Sequence, residues 1–290
     1  MKQTSASKPK DEKDQVRKIL ENRKEQSNDH VNIGCKYINE KNLDEGINSF
    51  LHAIELYPLN AMAYTNLGHA YHEKGLDKEA IQNYKTAIIL QPDWIDAYEL
   101  LGTLYANRGD LSKAINYYEK AQKINREDPI LLHNIGNTFL KQGLLDEAII
   151  NLEKAVEINS GVAYFHDTLG LAYSQKSLSD KAIEHFKEAT RLEPNQWEYH
   201  FHLAMEYNAK ASYSQAIEEW KQTITYGPSS AAFHNNLAVS YTREWQLNEA
   251  KDELEKALQI DPALEIAQTN LKNIQEANCW FQKENKKHFL

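Results

Sequence analysis

The sequence predicts an all-α fold in which helical hairpins of constant length stack side by side into an α-solenoid. Three observations carry the prediction. A small residue followed three positions later by an aromatic one recurs at a fixed 34-residue step. Further small, aromatic and leucine positions keep fixed offsets from it. Glycine (11) and proline (7) are both scarce among 290 residues, which leaves little chain for loops and favours helix.

The repeat is read from G-H-A-Y at Gly68. The same step gives G-C-K-Y at 34, G-T-L-Y at 102, G-N-T-F at 136, G-L-A-Y at 170, A-M-E-Y at 204 and A-V-S-Y at 238. No insertion or slip interrupts the seven units. Ile33, Leu67, Leu101, Ile135, Leu169, Leu203 and Leu237 stand just before the small residue. Twelve residues after it come Gly46, Ala80, Ala114, Ala148, Ala182, Ala216 and Ala250. Four further on are Phe50, Tyr84, Tyr118, Leu152, Phe186, Trp220 and Leu254, and then Ala53, Ala87, Ala121, Ala155, Ala189, Thr223 and Ala257. Pro58, Pro92, Pro194, Pro228 and Pro262 close five units, while Arg126 and Ser160 stand at that step in the other two.

Each unit reads as two helices. Ala80, Tyr84 and Ala87 lie at i, i+4 and i+7, one stripe of a helix. The small residues at Gly68 and Ala80 let the helices approach, and the rings of Tyr71 and Tyr84 fill the groove beside them. Gly75 supplies a left-handed turn between them. Pro92 ends the second helix because it lacks a backbone donor. One hairpin cannot bury its own stripe, so stability comes from interfaces between neighbours.

This pattern resembles the tetratricopeptide repeat (TPR) family, with seven repeats at 27–60, 61–94, 95–128, 129–162, 163–196, 197–230 and 231–264. The resemblance implies a right-handed superhelix whose concave surface is lined by the first helix, A, of every hairpin. It also implies a protein that binds other proteins. Residues 1–26 read as a basic N-terminal tail. In it Val16, Ile19 and Leu20 mark a short amphipathic helix that covers the open face of the first repeat, and residues 1–10 are expected to be unstructured. Residues 265–280 read as a capping helix, because Lys272 occupies the small-residue step, and 281–290 as a tail.

With the small residue counted as step 8, family members turn steps 2, 5, 6, 9, 12 and 13 toward the groove. Step 6 holds Asn32, Asn66, Asn134 and Asn236, interrupted by Leu100, Thr168 and His202. Four asparagines here resemble the ladder in the TPR domain of O-linked N-acetylglucosamine transferase. Each amide offers a donor and an acceptor and can hold a peptide backbone without reading its sequence. His69, His72 and Asn137 face the same way, with Thr65, Asp96, Glu99, Thr103 and His133. Farther along the groove residues become apolar: Tyr164, Leu171, Phe201, Met205 and Val239, a character that marks partner sites. Glu73, Asp96, Glu99, Asp167 and Glu198 outnumber Lys141 and Arg243, so a neutral or basic partner is expected. Co-chaperone TPR domains grip the acidic C-terminus of Hsp70 or Hsp90 with a lysine at step 5. Here that step is Val31, Thr65, Glu99, His133, Asp167, Phe201 and Asn235, so that partner is not expected.

Charge and motifs exclude other classes. The net charge is −9; the first 26 residues hold eight Lys/Arg against five Asp/Glu, leaving −12 on the remainder. That disfavours nucleic acid. No apolar run is long enough to insert into a membrane. The start shows no secretory signal, and Cys35 and Cys279 fit neither a disulfide framework nor a zinc set, so a reducing cytoplasmic setting is expected. His69 and His72 lack an assured third ligand, and His30, His166, His200 and His234 recur at step 4 as repeat positions. Neither a metal, a cofactor nor a catalytic constellation is expected, and the chain reads as a non-enzymatic adaptor. Two alternatives stand beside it: a self-assembling scaffold whose basic tail enters the groove of the next copy, and a targeting subunit for a separate enzyme.

Overall fold

The computed structural model describes residues 8–287, with side chains from residue 13 to residue 276. Residues 1–7 and 288–290, and the side chains of Lys8, Lys10 and Cys279, lie outside the described residues. Among those described, fifteen helices and no strand are found. The chain divides into two compact units, Met1–Gln142 and Gly143–Leu290.

The first unit holds α1 (Lys8–Asn39), α2 (Leu43–Leu56), α3 (Ala61–Glu73), α4 (Asp77–Leu90), α5 (Ile95–Asn107), α6 (Leu111–Ile124) and α7 (Pro129–Gln142). Within it α1 pairs with α2, α3 with α4 and α5 with α6; α2, α4 and α6 then pack on the next A helix, and α1, α3, α5 and α7 touch in succession. The second unit holds α8 (Leu145–Ile158), α9 (Ala163–Gln175), α10 (Ser179–Leu192), α11 (Trp197–Ala209), α12 (Tyr213–Tyr226), α13 (Ala231–Arg243), α14 (Leu247–Ile260) and α15 (Glu265–Lys287). The same neighbour-to-neighbour pairing runs through it.

Packing follows the repeated positions. Phe50, Tyr84, Tyr118, Leu152, Phe186, Trp220 and Leu254 are all fully buried, and each contributes about 2–3 kcal/mol by leaving water. The small residue of helix A is required by the ring beside it. A Cβ at Gly102 would lie 2.6 Å from Tyr118 Cε1, and one at Gly170 2.6 Å from Phe186 Cε1.

The hairpin turn holds a less legible regularity. Lys41, Gly75, Gly109, Gly143, Ser177, Ala211 and Trp245 stand at one step, and all seven have positive φ, between 56° and 80°. The turn geometry is therefore fixed by how the two helices must meet, and the residue adapts to it. Glycine fills only three of the seven positions.

The ends differ from the sequence reading. Among the described residues no separate N-terminal helix covers the first repeat: α1 is one helix from Lys8 to Asn39. Nothing between Gln15 and Gly34 breaks a helix, so it propagates, and Pro9 falls in the first turn where its missing N–H costs nothing. Val16, Ile19 and Leu20 remain at least half exposed. Ile33 is 44% exposed, whereas Leu67 at the same step is 2% exposed, because no preceding repeat covers it. At the other end α15 continues to Lys287, beyond the expected stop at 280. Its Ala267 and Ile274 are buried beside Ala250, Leu254 and Ala257 of α14.

Candidate functional site: the exposed faces of the A helices

Steps 2, 6 and 9 form one helical stripe, at i, i+4 and i+7, and it stays open on the A helices. Asn32, Tyr164 and Met205 are exposed, and Asn66, His69, His72, Asn134, Asn137, Leu171, His202, Asn236 and Val239 are half-buried. Phe201 is half-buried as well, for a different reason given below.

Step 5 does not face the groove in this chain. Val31, Thr65, His133, Asp167 and Asn235 are all buried, because this step lies where successive A helices meet. Only Glu99 and Phe201 are less than fully enclosed there. Burial pushes the His133 imidazole down to about 4, so it is neutral. Phe201 belongs to an aromatic cluster, edge-on to Trp220 at 5.5 Å and tilted against Phe233 at 5.8 Å. Its ring joins helices as much as it offers a surface. The apolar patch expected from sequence is thus carried mainly by Tyr164 and Met205, 41% and 46% exposed. Sequence reasoning overlooked Met62 and Ile130, which are exposed at step 2. Their signal was the same step as Asp96 and Tyr164.

Several polar groove residues are engaged within the chain. The Asn66 amide donates to Met62 O at 2.9 Å, and its oxygen accepts from Cys35 Sγ at 3.6 Å. His202 Nδ1 lies 2.7 Å from Asp167 Oδ1. His72 Nδ1 lies 2.9 Å from Asp77 Oδ1, while His69 is 4.0 Å from Glu73. The two histidines are therefore each tied to a carboxylate of their own hairpin. Among the described residues no group of three or more His, Cys, Asp or Glu could hold a metal ion.

The step-4 histidines are structural braces. His200 Nδ1 meets Glu219 at 2.6 Å and its Nε2 donates to Pro194 O at 3.0 Å. His234 repeats the contact with Glu253 at 2.6 Å. His166 instead meets His185 Nδ1 at 3.0 Å, with Nε2 on Ser160 O. Burial pushes His200 down, but the Glu219 hydrogen bond and the Pro194 carbonyl reverse it, leaving its pKa raised. His185 is held down by burial and then by His166.

Three cavities open on these faces. One of about 390 Å³ in the first unit is bordered by Asn66, Trp94, Asp96, Glu99, Leu100 and Asn134. A smaller one, about 160 Å³, lies between Cys35, Phe50, Asn66 and His69. In the second unit about 440 Å³ lies between α13, α14 and α15, with Val239, Trp245 and Asn270 on its walls. Trp245 is 75% exposed at the positive-φ turn position.

Helical hairpins at constant spacing, with an open stripe on every first helix, define a helical-repeat protein-interaction module. Tetratricopeptide repeat profiles match residues 30–58, 49–82, 130–161, 163–196 and 231–264, and a TPR repeat profile matches 68–109 and 104–143. The chain belongs to the tetratricopeptide repeat family. Residues 197–230 lie outside the matched segments. A comparison with curated proteins gives no match. Among solved structures, a tetratricopeptide repeat protein from Parabacteroides merdae is similar at 18% identity and TM-score 0.61, over 87% of this chain and 99% of that one. PilF from Pseudomonas aeruginosa is similar at 20% identity and TM-score 0.63, over 75% and 97%. These two likenesses show the fold alone. A MamA fragment from Desulfovibrio magneticus is similar at 25% identity and TM-score 0.53, over 57% and 94%. No helix among the described residues is long and apolar enough to cross a membrane.

Proposed function

We propose that this chain is a non-enzymatic adaptor that binds an extended or helical peptide segment of a partner protein along the A-helix faces. The observation that carries this reading is the open stripe at steps 2, 6 and 9, which mixes amide groups with the exposed side chains of Met62, Ile130, Tyr164 and Met205. Amides hold peptide backbone, and exposed apolar side chains supply anchors. The acidic balance of the chain outside its first 26 residues supports a neutral or basic partner.

Affinity capture with the full chain, read by mass spectrometry, tests this. Met205→Glu and Asn134→Ala are expected to lose captured partners while melting like the parent. Equal recovery by both variants would remove the A-helix faces from the account.

A second reading is favoured by one observation, the exposed Val16, Ile19 and Leu20 on the N-terminal extension of α1. A continuous helix holds this apolar stripe away from the first repeat, where a second copy can cover it. Light scattering of the chain with and without residues 1–26 decides. Monomers in both cases would end this reading.

A further inference from the structure

The cavity beside Glu99 has a chemistry that the rest of the A-helix surface lacks. Glu99 occupies step 5, where Val31, Thr65 and His133 of the same unit are buried packing residues. A carboxylate has been placed in a position built for packing. Its Oε1 is shut off from solvent and accepts no hydrogen bond from the described residues. Asp96 lies one turn earlier on α5 and is exposed. Neither forms an ion pair among the described residues. Asp128, another carboxylate that acts on Glu99, is already committed: its Oδ1 accepts from the backbone N–H of Ile130 at 2.9 Å and Leu131 at 3.2 Å.

The remaining walls complete a recognisable shape. Trp94 borders the same cavity, and its indole N–H is buried without an acceptor among the described residues. Met62, Leu100 and Ile130 provide apolar surface at the rim. Asn66 and Asn134 stand on either side, from α3 and α7. A long stem along apolar side chains, a cation beside two carboxylates and an aromatic ring, and a backbone between two amides describe one kind of occupant.

We propose that this cavity receives a lysine or arginine side chain of the bound peptide, with Glu99 and Asp96 as its counter-charges and Trp94 as the aromatic wall. The proposal rests on the peptide-binding reading above and makes it specific. Burial, then Asp128 and Asp96, hold the Glu99 carboxyl up at about 7, and an arriving cation relieves that like-charge crowding. The three-carbon or four-carbon stem of arginine or lysine fits a volume of about 390 Å³. Leu100, standing where four other repeats have asparagine, provides contact to that stem in place of a polar group.

The test uses the full chain as bait against a random 12-residue peptide library displayed on phage. Enriched peptides are then synthesised with each Lys or Arg replaced in turn by norleucine. The expected result is a basic residue shared by peptides that Asn134→Ala weakens. Norleucine at that position, and separately Glu99→Gln in the protein, each reduce affinity about tenfold. Glu99→Gln is isosteric, and its melting curve verifies folding. Raising NaCl from about 0.1 M to about 0.5 M weakens both complexes, the Glu99→Gln complex by the smaller factor, because only Asp96 is left to be screened there. Peptides that need Asn134 yet share no basic residue, with Glu99→Gln binding as the parent does, would overturn the cationic pocket and leave the adaptor reading standing. If no peptide is enriched, both fall.

Discussion

Ala211 sits at φ 56° with its side chain in solvent, and Gly109 sits at φ 80° with nothing within 4 Å of where a Cβ would be. They occupy equivalent hairpin turns, so they isolate backbone conformation from packing. An L-residue in the left-handed region costs about 1–2 kcal/mol, partly offset by the lower unfolded-state entropy of a non-glycine residue. Ala211→Gly is expected to stabilise by about 0.5–1 kcal/mol, and Gly109→Ala to destabilise by about the same amount. Urea unfolding of the two variants checks both signs. Gly75, Gly109 and Gly143 are the members of this set that are conspicuous in the sequence as turn residues. Ser177, Ala211 and Trp245 are invisible there, because nothing in their chemistry asks for positive φ; the helices they connect impose it.

At the scale of the element, α9 and α10 differ from the two following hairpins in one brace. His185 stands where Glu219 and Glu253 stand one and two repeats later. His200 gains a carboxylate and its pKa is raised, so its contribution is complete below the unfolded value near 6.5 and is lost as pH rises through the folded value. His185 faces another imidazole and burial, and its pKa is depressed. Its contribution therefore has the opposite sign: it is complete above about 6.5 and declines as pH falls below that. The charged neighbours of His185 are Glu184 and Glu153, which raise its pKa, and Lys181, which lowers it. His185→Glu restores the pattern of its neighbours. The variant is expected to melt a few degrees above the parent at about pH 5.5 and close to it at about pH 8. An equal shift at both pH values would show that the His166–His185 contact plays no part in acid sensitivity.

On the scale of the whole molecule, stability is a sum over neighbour contacts within each unit. Repeating bridges mark those contacts at the surface: Lys74 to Asp44 at 2.6 Å in the first unit, and Lys176 to Asp146 and Lys210 to Asp180 in the second. All are well exposed, so each adds under about 1 kcal/mol and serves register more than stability. The apolar end contacts matter more. Deleting residues 262–290 strips Ala267 and Ile274 from Ala250, Leu254 and Ala257. Hydrogen exchange is expected to quicken most in α13 and α14 and progressively less toward α8. Uniform loss of protection through the second unit would instead mean that it unfolds as a single block.

The sequence by itself determined the repeat, its seven-fold register, the helical hairpins and the packing residues, because a 34-residue step in small and aromatic side chains has one stable solution. It also marked the asparagines of step 6 and, at steps 2 and 9, Tyr164, Leu171, Met205 and Val239, but not Met62 and Ile130. Only the tertiary structure decided which of the groove positions are surface at all. Step 5 was counted inward on family resemblance and is mostly buried, since contact between successive A helices is a property of two repeats that no single repeat records. The same contact traps Glu99, takes up much of Phe201, and ties His202 to Asp167. The N-terminal segment was legible as amphipathic but not as a continuation of α1, because periodicity gives the face of a helix and leaves open whether it folds back.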